Sequence, residues 1–291
     1  MLTASVATTA WRRILLAGLS VIEHRVDIAG VSTTVLSTGD GPPLVLLHGG
    51  IEIGGAYWAP LIPALATRYR VTVPDLPGLG ESVPFPNGDV DQARFTAWFG
   101  ELLARTCPAP PVVVAHSLLG SLAAGFAATN PHSLRTLVIY GAPGVGPYRT
   151  PLGLVIAAIL FDLLPSQRTQ NRFLRWAFRD PVATHRQHPA WFDAFNAYCV
   201  ERGKVPHVKR TMRQLIRLGT KRVPEAILSR IRIPTVLLWG RHDRMVPLKT
   251  AQSASTAFAW PLRVIEGAGH VPHLEQPDAF VEALFASGSV Q

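Results

Sequence analysis

A chain of 291 residues, 48% of them hydrophobic, has enough apolar mass for one large globular domain or for a domain carrying a sizeable insertion, which excludes a chain too polar to bury a core. Its two cysteines, Cys107 and Cys199, stand far apart with no partner spacing, so neither a disulfide framework nor a thiolate zinc site follows from them. The net charge of +9 is regional: Tyr148 to Arg222 holds 14 Lys and Arg against 4 Asp and Glu, while the remainder holds 14 against 15. Such a segment reads first as a solvated, arginine-rich helical face, with attraction to anionic substrates or anionic lipid as the alternative. No nucleic-acid partner is expected.

At the N-terminus, "WRRILLAGLSVIEH" sets two arginines ahead of an apolar run, as a signal peptide would. The run spans only Ile14 to Ile22, meets Glu23, His24 and Arg25, and lacks a small-residue cleavage pattern, whereas a membrane span needs about 20 apolar residues. Trp11, Leu15, Leu19 and Ile22 follow helical spacing, which predicts an amphipathic helix within residues 1–20. That helix is expected to pack on the body, with a membrane surface as its other destination. A cytoplasmic protein, touching membranes at most peripherally, is the corresponding expectation.

Next, "HRVDIAGVSTTVLST" reads as two antiparallel strands around an Ala29-Gly30 turn. Six short, almost wholly apolar runs follow, at 43–49, 69–75, 111–117, 134–141, 233–240 and 262–267, as strands buried on both faces should read. Helical patterns separate them at 57–68, 91–105, 118–129, 248–259 and 277–287. The prediction is an α/β fold, a doubly wound and mostly parallel sheet of about eight strands. Between Tyr140 and Ile233 no strand-like run occurs, but "LGLVIAAILFDLL", "NRFLRWAF" and "KRTMRQLIRL" are helix-like. A helical cap over 148–222 is therefore predicted on a core of 21–147 and 223–291.

In an open parallel sheet, ligands bind beyond the carboxyl ends of the strands. There the chain offers "HGG" (48–50), "DLPGLGES" (75–82), "AHSLLG" (115–120), "GRHD" (240–243) and "GAGHVPHLEQP" (267–277), with Ser117, Asp243 and His270 appearing in that order. A serine is a weak nucleophile at neutral pH and needs a base, which in turn needs an acid to hold its tautomer. On the elbow around Ser117, the "DLPGLGES" loop and "GHVPHLEQP", the chain from about Val21 onward resembles the α/β-hydrolase-fold serine hydrolases with a helical cap. The resemblance implies Ser117 as nucleophile, His270 as general base and then acid, and Asp243 as the orienting carboxylate. It also implies an oxyanion hole from the backbone N–H of Leu118 and of Gly50 or Ile51, and it calls for no cofactor or metal.

Other residues near these motifs have alternative readings. His116 falls on the buried side of its turn by strand alternation, and His273 does not directly follow a glycine as the family's histidine does. Asp75 could be the acid, but its loop resembles a structural turn. Glu52 could contact a polar substrate group, with an exposed loop carboxylate as the plainer reading. Leu119 stands where the elbow wants a small residue, so either the helix after it is displaced slightly to house the side chain or the leucine packs in a pocket that relatives fill from elsewhere, while Ala115 and Gly120 supply the room the reversal needs. Leu152, Leu154, Phe161, Phe173, Trp176 and Trp191 would line a hydrophobic pocket or form the cap's own core; Trp176 and Trp191, with Glu52, are the expected substrate contacts.

A serine at the elbow argues against the aspartate-using dehalogenases and epoxide hydrolases. His116, where carbon–carbon bond hydrolases usually carry asparagine, argues against that reaction, and "AHSLLG" resembles the elbow of esterases, lipases and related acyl hydrolases, which implies a small, hydrophobic carboxylic ester as substrate. Other acyl or carbon–carbon hydrolysis, and a non-catalytic binding member of the fold, are the competing expectations; the sequence leaves the oligomeric state open.

Overall fold

The computed structural model describes residues 10–286. Their strands form one eight-stranded sheet in the order β1-β2-β4-β3-β5-β6-β7-β8. The members are β1 (Ile22–Ile28), β2 (Val31–Thr38), β3 (Pro43–Leu47), β4 (Arg70–Pro74), β5 (Val112–His116), β6 (Thr136–Tyr140), β7 (Thr235–Gly240) and β8 (Leu262–Ile265). β2 pairs antiparallel with both β1 and β4, and every other pairing is parallel. Ala29 and Gly30 both have positive φ, 50° and 73°, the combination that a two-residue hairpin turn of matching twist demands.

The unbroken apolar runs have a simple cause. Successive residues of a strand point to opposite faces, and here both faces are covered. Val45, Leu47, Val113, Ala115, Leu137 and Ile139 join one apolar layer, with α3 (Gln92–Thr106), α4 (Ser117–Thr129) and α11 (Leu248–Phe258). Their neighbours Leu44, Leu46, Val114 and Val138 join the other layer, formed with the 3-10 segment Gly54–Leu61, α2 (Ile62–Ala66) and α13 (Pro277–Phe285).

Helix α1 occupies residues 10–15; positions 1–9 of the expected amphipathic helix lie outside the described residues. The helix stops earlier than its apolar spacing predicts, because Gly18 turns the chain with φ 77° and Ile22 already opens β1. Leu15 is buried against the second layer, and the buried guanidinium of Arg12 pairs with Glu23 at 2.6 Å and Asp75 at 3.1 Å. The described part of this helix therefore packs on the body.

Between β6 and β7 the chain rises into helices: α5 (Leu152–Leu163), α6 (Gln167–Ala177), α7 (Pro181–Gln187), α8 (Pro189–Arg202), α9 (Pro206–Gly219) and the short α10 (Glu225–Leu228). Ser166 and Thr169 form a capping box that starts α6, and the Asp180 carboxylate accepts from Val182 and Ala183 N–H to start α7. The cap sits on the core through α9, whose Gly219 lies so close to α4 that a Cβ there would fall 2.7 Å from that of Leu118. The short α12 (Pro272–Glu275) follows β8 and precedes α13.

Candidate active site

β5 delivers the serine. The backbone reverses abruptly from extended His116 into α4, and Ser117 takes φ 53°, a left-handed conformation that costs a non-glycine residue of order 1 kcal/mol or more. The sharp reversal works only if the flanking backbones come close. A Cβ on Gly120 would sit 2.9 Å from the Cβ of Ala142 and 3.0 Å from the Ala115 carbonyl, and one on Gly49 would sit 2.6 Å from Nδ1 of His116. Leu119 is fully buried, a member of the apolar layer that α3 and α4 share with the sheet.

Strand ends β7 and β8 bring the other two side chains. His270 Nδ1 lies 2.8 Å from Asp243 Oδ2, and His270 Nε2 lies 3.0 Å from Ser117 Oγ. A carboxylate only accepts, so the proton resides on Nδ1 and the Nε2 lone pair faces the hydroxyl. The other oxygen of Asp243 accepts from Met245 and Val246 N–H at 2.9 and 2.8 Å, which fixes the carboxylate's rotation. All three side chains are buried.

Beneath them lies an aromatic floor. The His116 ring stacks on Tyr140, with centroids 4.2 Å apart, and its Nε2 donates to the His270 carbonyl at 3.1 Å. His273 packs against Tyr57 and lies 3.3 Å from the Tyr140 hydroxyl. Burial, and then the neighbouring His270, holds both imidazoles well below the usual histidine range, so they are neutral packing rings. Asp75 lies elsewhere: its carboxylate accepts from Gly55 and Glu81 N–H and pairs with Arg12, pinning two loops.

The histidine loop is fastened to the cap by a residue that motif reading passed over. Glu275, within "GHVPHLEQP", accepts from Gly269 N–H at 2.6 Å through one oxygen, and from Arg179 and Asp180 N–H at 2.6 and 3.2 Å through the other. Burial pushes its carboxyl above the usual range, against the pull of those three donors. The His270 amide also donates to the Ala177 carbonyl of α6 at 2.8 Å. Its place in a quoted motif, five residues after His270, was the available signal.

Above Ser117 and His270 is a cavity of about 450 Å³. Gly49, Gly50, Ile51 and Leu118 border it below, and Leu154, Phe161, Phe173, Leu174 and Met212 of the cap border it above. Glu52 also reaches the lining instead of lying in an exposed loop; desolvation, with a small push from Asp162, raises its carboxyl to about 7. Trp176 and Trp191 do not reach it. Trp176 lies over Gly153, tying α6 to α5, because its neighbours Leu174 and Ala177 occupy the inward face. Trp191 stacks behind Phe195, centroids 5.2 Å apart, and Phe195 fills the lining position. Leu152 likewise faces outward. Among the described residues no cluster of His, Cys, Asp and Glu could hold a metal ion.

A family model described as "Alpha/beta hydrolase family" matches residues 44–283, most of the chain. The chain belongs to the alpha/beta hydrolase family. Among alpha/beta hydrolase relatives, it is 28% identical to a pimeloyl-(acyl-carrier protein) methyl ester esterase of Aeromonas hydrophila, over 87% of this chain and 98% of that one. It is 24% identical to a 2-hydroxy-6-oxo-6-(2'-aminophenyl)hexa-2,4-dienoic acid hydrolase of Metapseudomonas resinovorans, over 90% and 89% of the two chains. Its fold superposes with a TM-score of 0.80 on a carboxylesterase of Bacillus subtilis, at 20% identity and covering 98% of each chain.

Proposed function

We propose that this alpha/beta hydrolase cleaves a carboxylic ester with a hydrophobic acyl or alcohol part, through an acyl-enzyme on Ser117. The observation that carries the reading is the pair of contacts at His270, 3.0 Å to the serine oxygen and 2.8 Å to the Asp243 carboxylate, at the base of an apolar cavity. Ser117 Oγ attacks the ester carbonyl carbon while its proton passes to Nε2 of His270, and Asp243 steadies the imidazolium. Negative charge collects on the former carbonyl oxygen, where the N–H of Leu118 and of Gly50 or Ile51 are placed in this reading to receive it. The tetrahedral species collapses as His270 gives its proton to the departing alkoxide, releasing the alcohol. Water, deprotonated by the same nitrogen, then attacks the acyl-enzyme, and as the acyl–Oγ bond breaks His270 returns that proton to Oγ, so the acid leaves with Ser117 and the neutral imidazole restored.

The aromatic floor supports this assignment of roles, since His116 and His273 are neutral and directed away from the hydroxyl, leaving His270 as the base. The kinship with a methyl ester esterase supports the ester, and the apolar cap lining supports its hydrophobic part. Incubation with a fluorophosphonate probe and with short-chain chromogenic esters tests the reading. Labelling and hydrolysis are expected for the native protein, both lost in Ser117→Ala. An unlabelled native protein that turns over none of a panel of esters would overturn it in favour of a binding role.

A further inference from the structure

The outer face of α5 is apolar. Leu152, Ile156, Ile159 and Leu163, spaced by four, three and four residues, stand on one side of the helix and are 42% to 74% exposed. Ile216 of α9 adds to this surface at 41%. Soluble chains seldom leave so continuous a stripe in water without something to cover it. Twelve residues make a rod of about 18 Å, far below a membrane span, and no helix of the described residues is long and apolar enough to cross one.

Charge identifies the occupant. On α6, which packs beside α5, Arg168, Arg172 and Arg175 follow helical spacing and are exposed, as is Arg217 next to Ile216 on α9. Among the described residues none of the four has a carboxylate partner, whereas Arg213 is neutralised by Asp162. An apolar ridge bordered by free guanidinium groups is complementary to an anionic lipid surface, where acyl chains take the ridge and headgroups take the cations.

Position links this face to the site. Ile159 and Ile216 are both exposed and part of the cavity lining, with Val155, Ala158 and Arg213 beside them, so the cavity mouth between α5 and α9 opens on the same side as the ridge. We infer that α5 and its arginine borders dock the protein on an anionic lipid surface, so that the ester entering the cavity is an amphipathic one delivered from that surface. The docking stands on the ridge and the charges alone; the delivery of substrate rests on the ester-hydrolase reading.

Sedimentation with vesicles of phosphatidylcholine containing phosphatidylglycerol, and with vesicles of phosphatidylcholine alone, tests the docking. The native protein is expected to sediment with the anionic vesicles and to be released by high salt. Ile156→Glu/Leu163→Glu and Arg168→Glu/Arg172→Glu, all outside the cavity lining, should each weaken binding by about tenfold or more. Both should keep the far-ultraviolet circular dichroism and urea midpoint of the native protein, which verifies folding, and should hydrolyse a soluble short-chain ester as it does. Equal sedimentation with neutral vesicles, none with either kind, or full binding by both variants overturns the proposal. So does a dimer abolished by Ile156→Glu/Leu163→Glu, which would make a second copy the occupant. Failure to cleave the soluble ester would count against the ester reading alone, because sedimentation is read without turnover.

Discussion

Replacing Leu119 by alanine separates two explanations for a bulky residue two positions after the serine. If the side chain is a filled core position, the change removes a fully buried isobutyl group from the layer shared by α3, α4 and the sheet. Buried Leu→Ala changes cost about 2–5 kcal/mol, with the larger values where surroundings cannot collapse into the void. Gly120 is already wedged against Ala142, Ala115 and Ile139, so α4 has little freedom to close the gap. A loss of about 3–4 kcal/mol is expected in urea unfolding followed by tryptophan fluorescence. The turnover of native-like protein should stay within about tenfold, roughly 1.4 kcal/mol of barrier, since the Ser117–His270 contact does not run through Leu119. Unchanged stability together with a rate increase of several orders of magnitude would refute the reasoning and make Leu119 an impediment at the elbow.

Two further outcomes follow from carboxyl groups around the site. Glu275→Ala strips the acceptor from three amides; the buried one, at Gly269, costs about 1–3 kcal/mol when left unpaired, and the two part-buried ones, at Arg179 and Asp180, less because water reaches them. With the histidine loop loosened, kcat should fall more than KM rises; a normal kcat in folded Glu275→Ala would remove the positioning role. The raised carboxyl of Glu52 means that the folded state holds its proton up to about pH 7, against about 4.5 when unfolded. Its contribution is complete below about pH 4.5 and is lost as pH climbs through about 7, by at most about 3 kcal/mol at 1.36 kcal/mol per unit. Glu52→Gln should flatten that part of the stability profile, measured by urea unfolding across pH 4 to 8; an unaltered slope would show that Glu52 is not the group responsible.

Much of the fold was legible because each central strand is a short run apolar on both faces, as a doubly covered sheet produces, and because Ala29-Gly30 marks its turn so plainly. The helices α7 and α8 were harder to see: α7 is one short piece behind a proline, and α8 distributes Phe192, Phe195 and Tyr198 among polar residues without one clean stripe. Trp176 and Trp191 misled for a related reason. Size and hydrophobicity tell that an aromatic will be covered, but which neighbour covers it depends on how α5, α6 and α8 turn toward each other. Glu52 ran the opposite way, a charged residue in a loop that the cap roofs over. Arg12 gave no local signal, since its partner Asp75 lies 63 positions further along.

The bond from the His270 amide to Ala177, together with the grip of Glu275 on residues 179 and 180, constrains how this protein can breathe. A jaw-like swing of the whole roof about its junction with the core would drag the imidazole off the hydroxyl. Any widening of the chamber is therefore expected at the far rim, beside Ile159 of α5 and Ile216 of α9, with the α6–α7 corner held by these bonds.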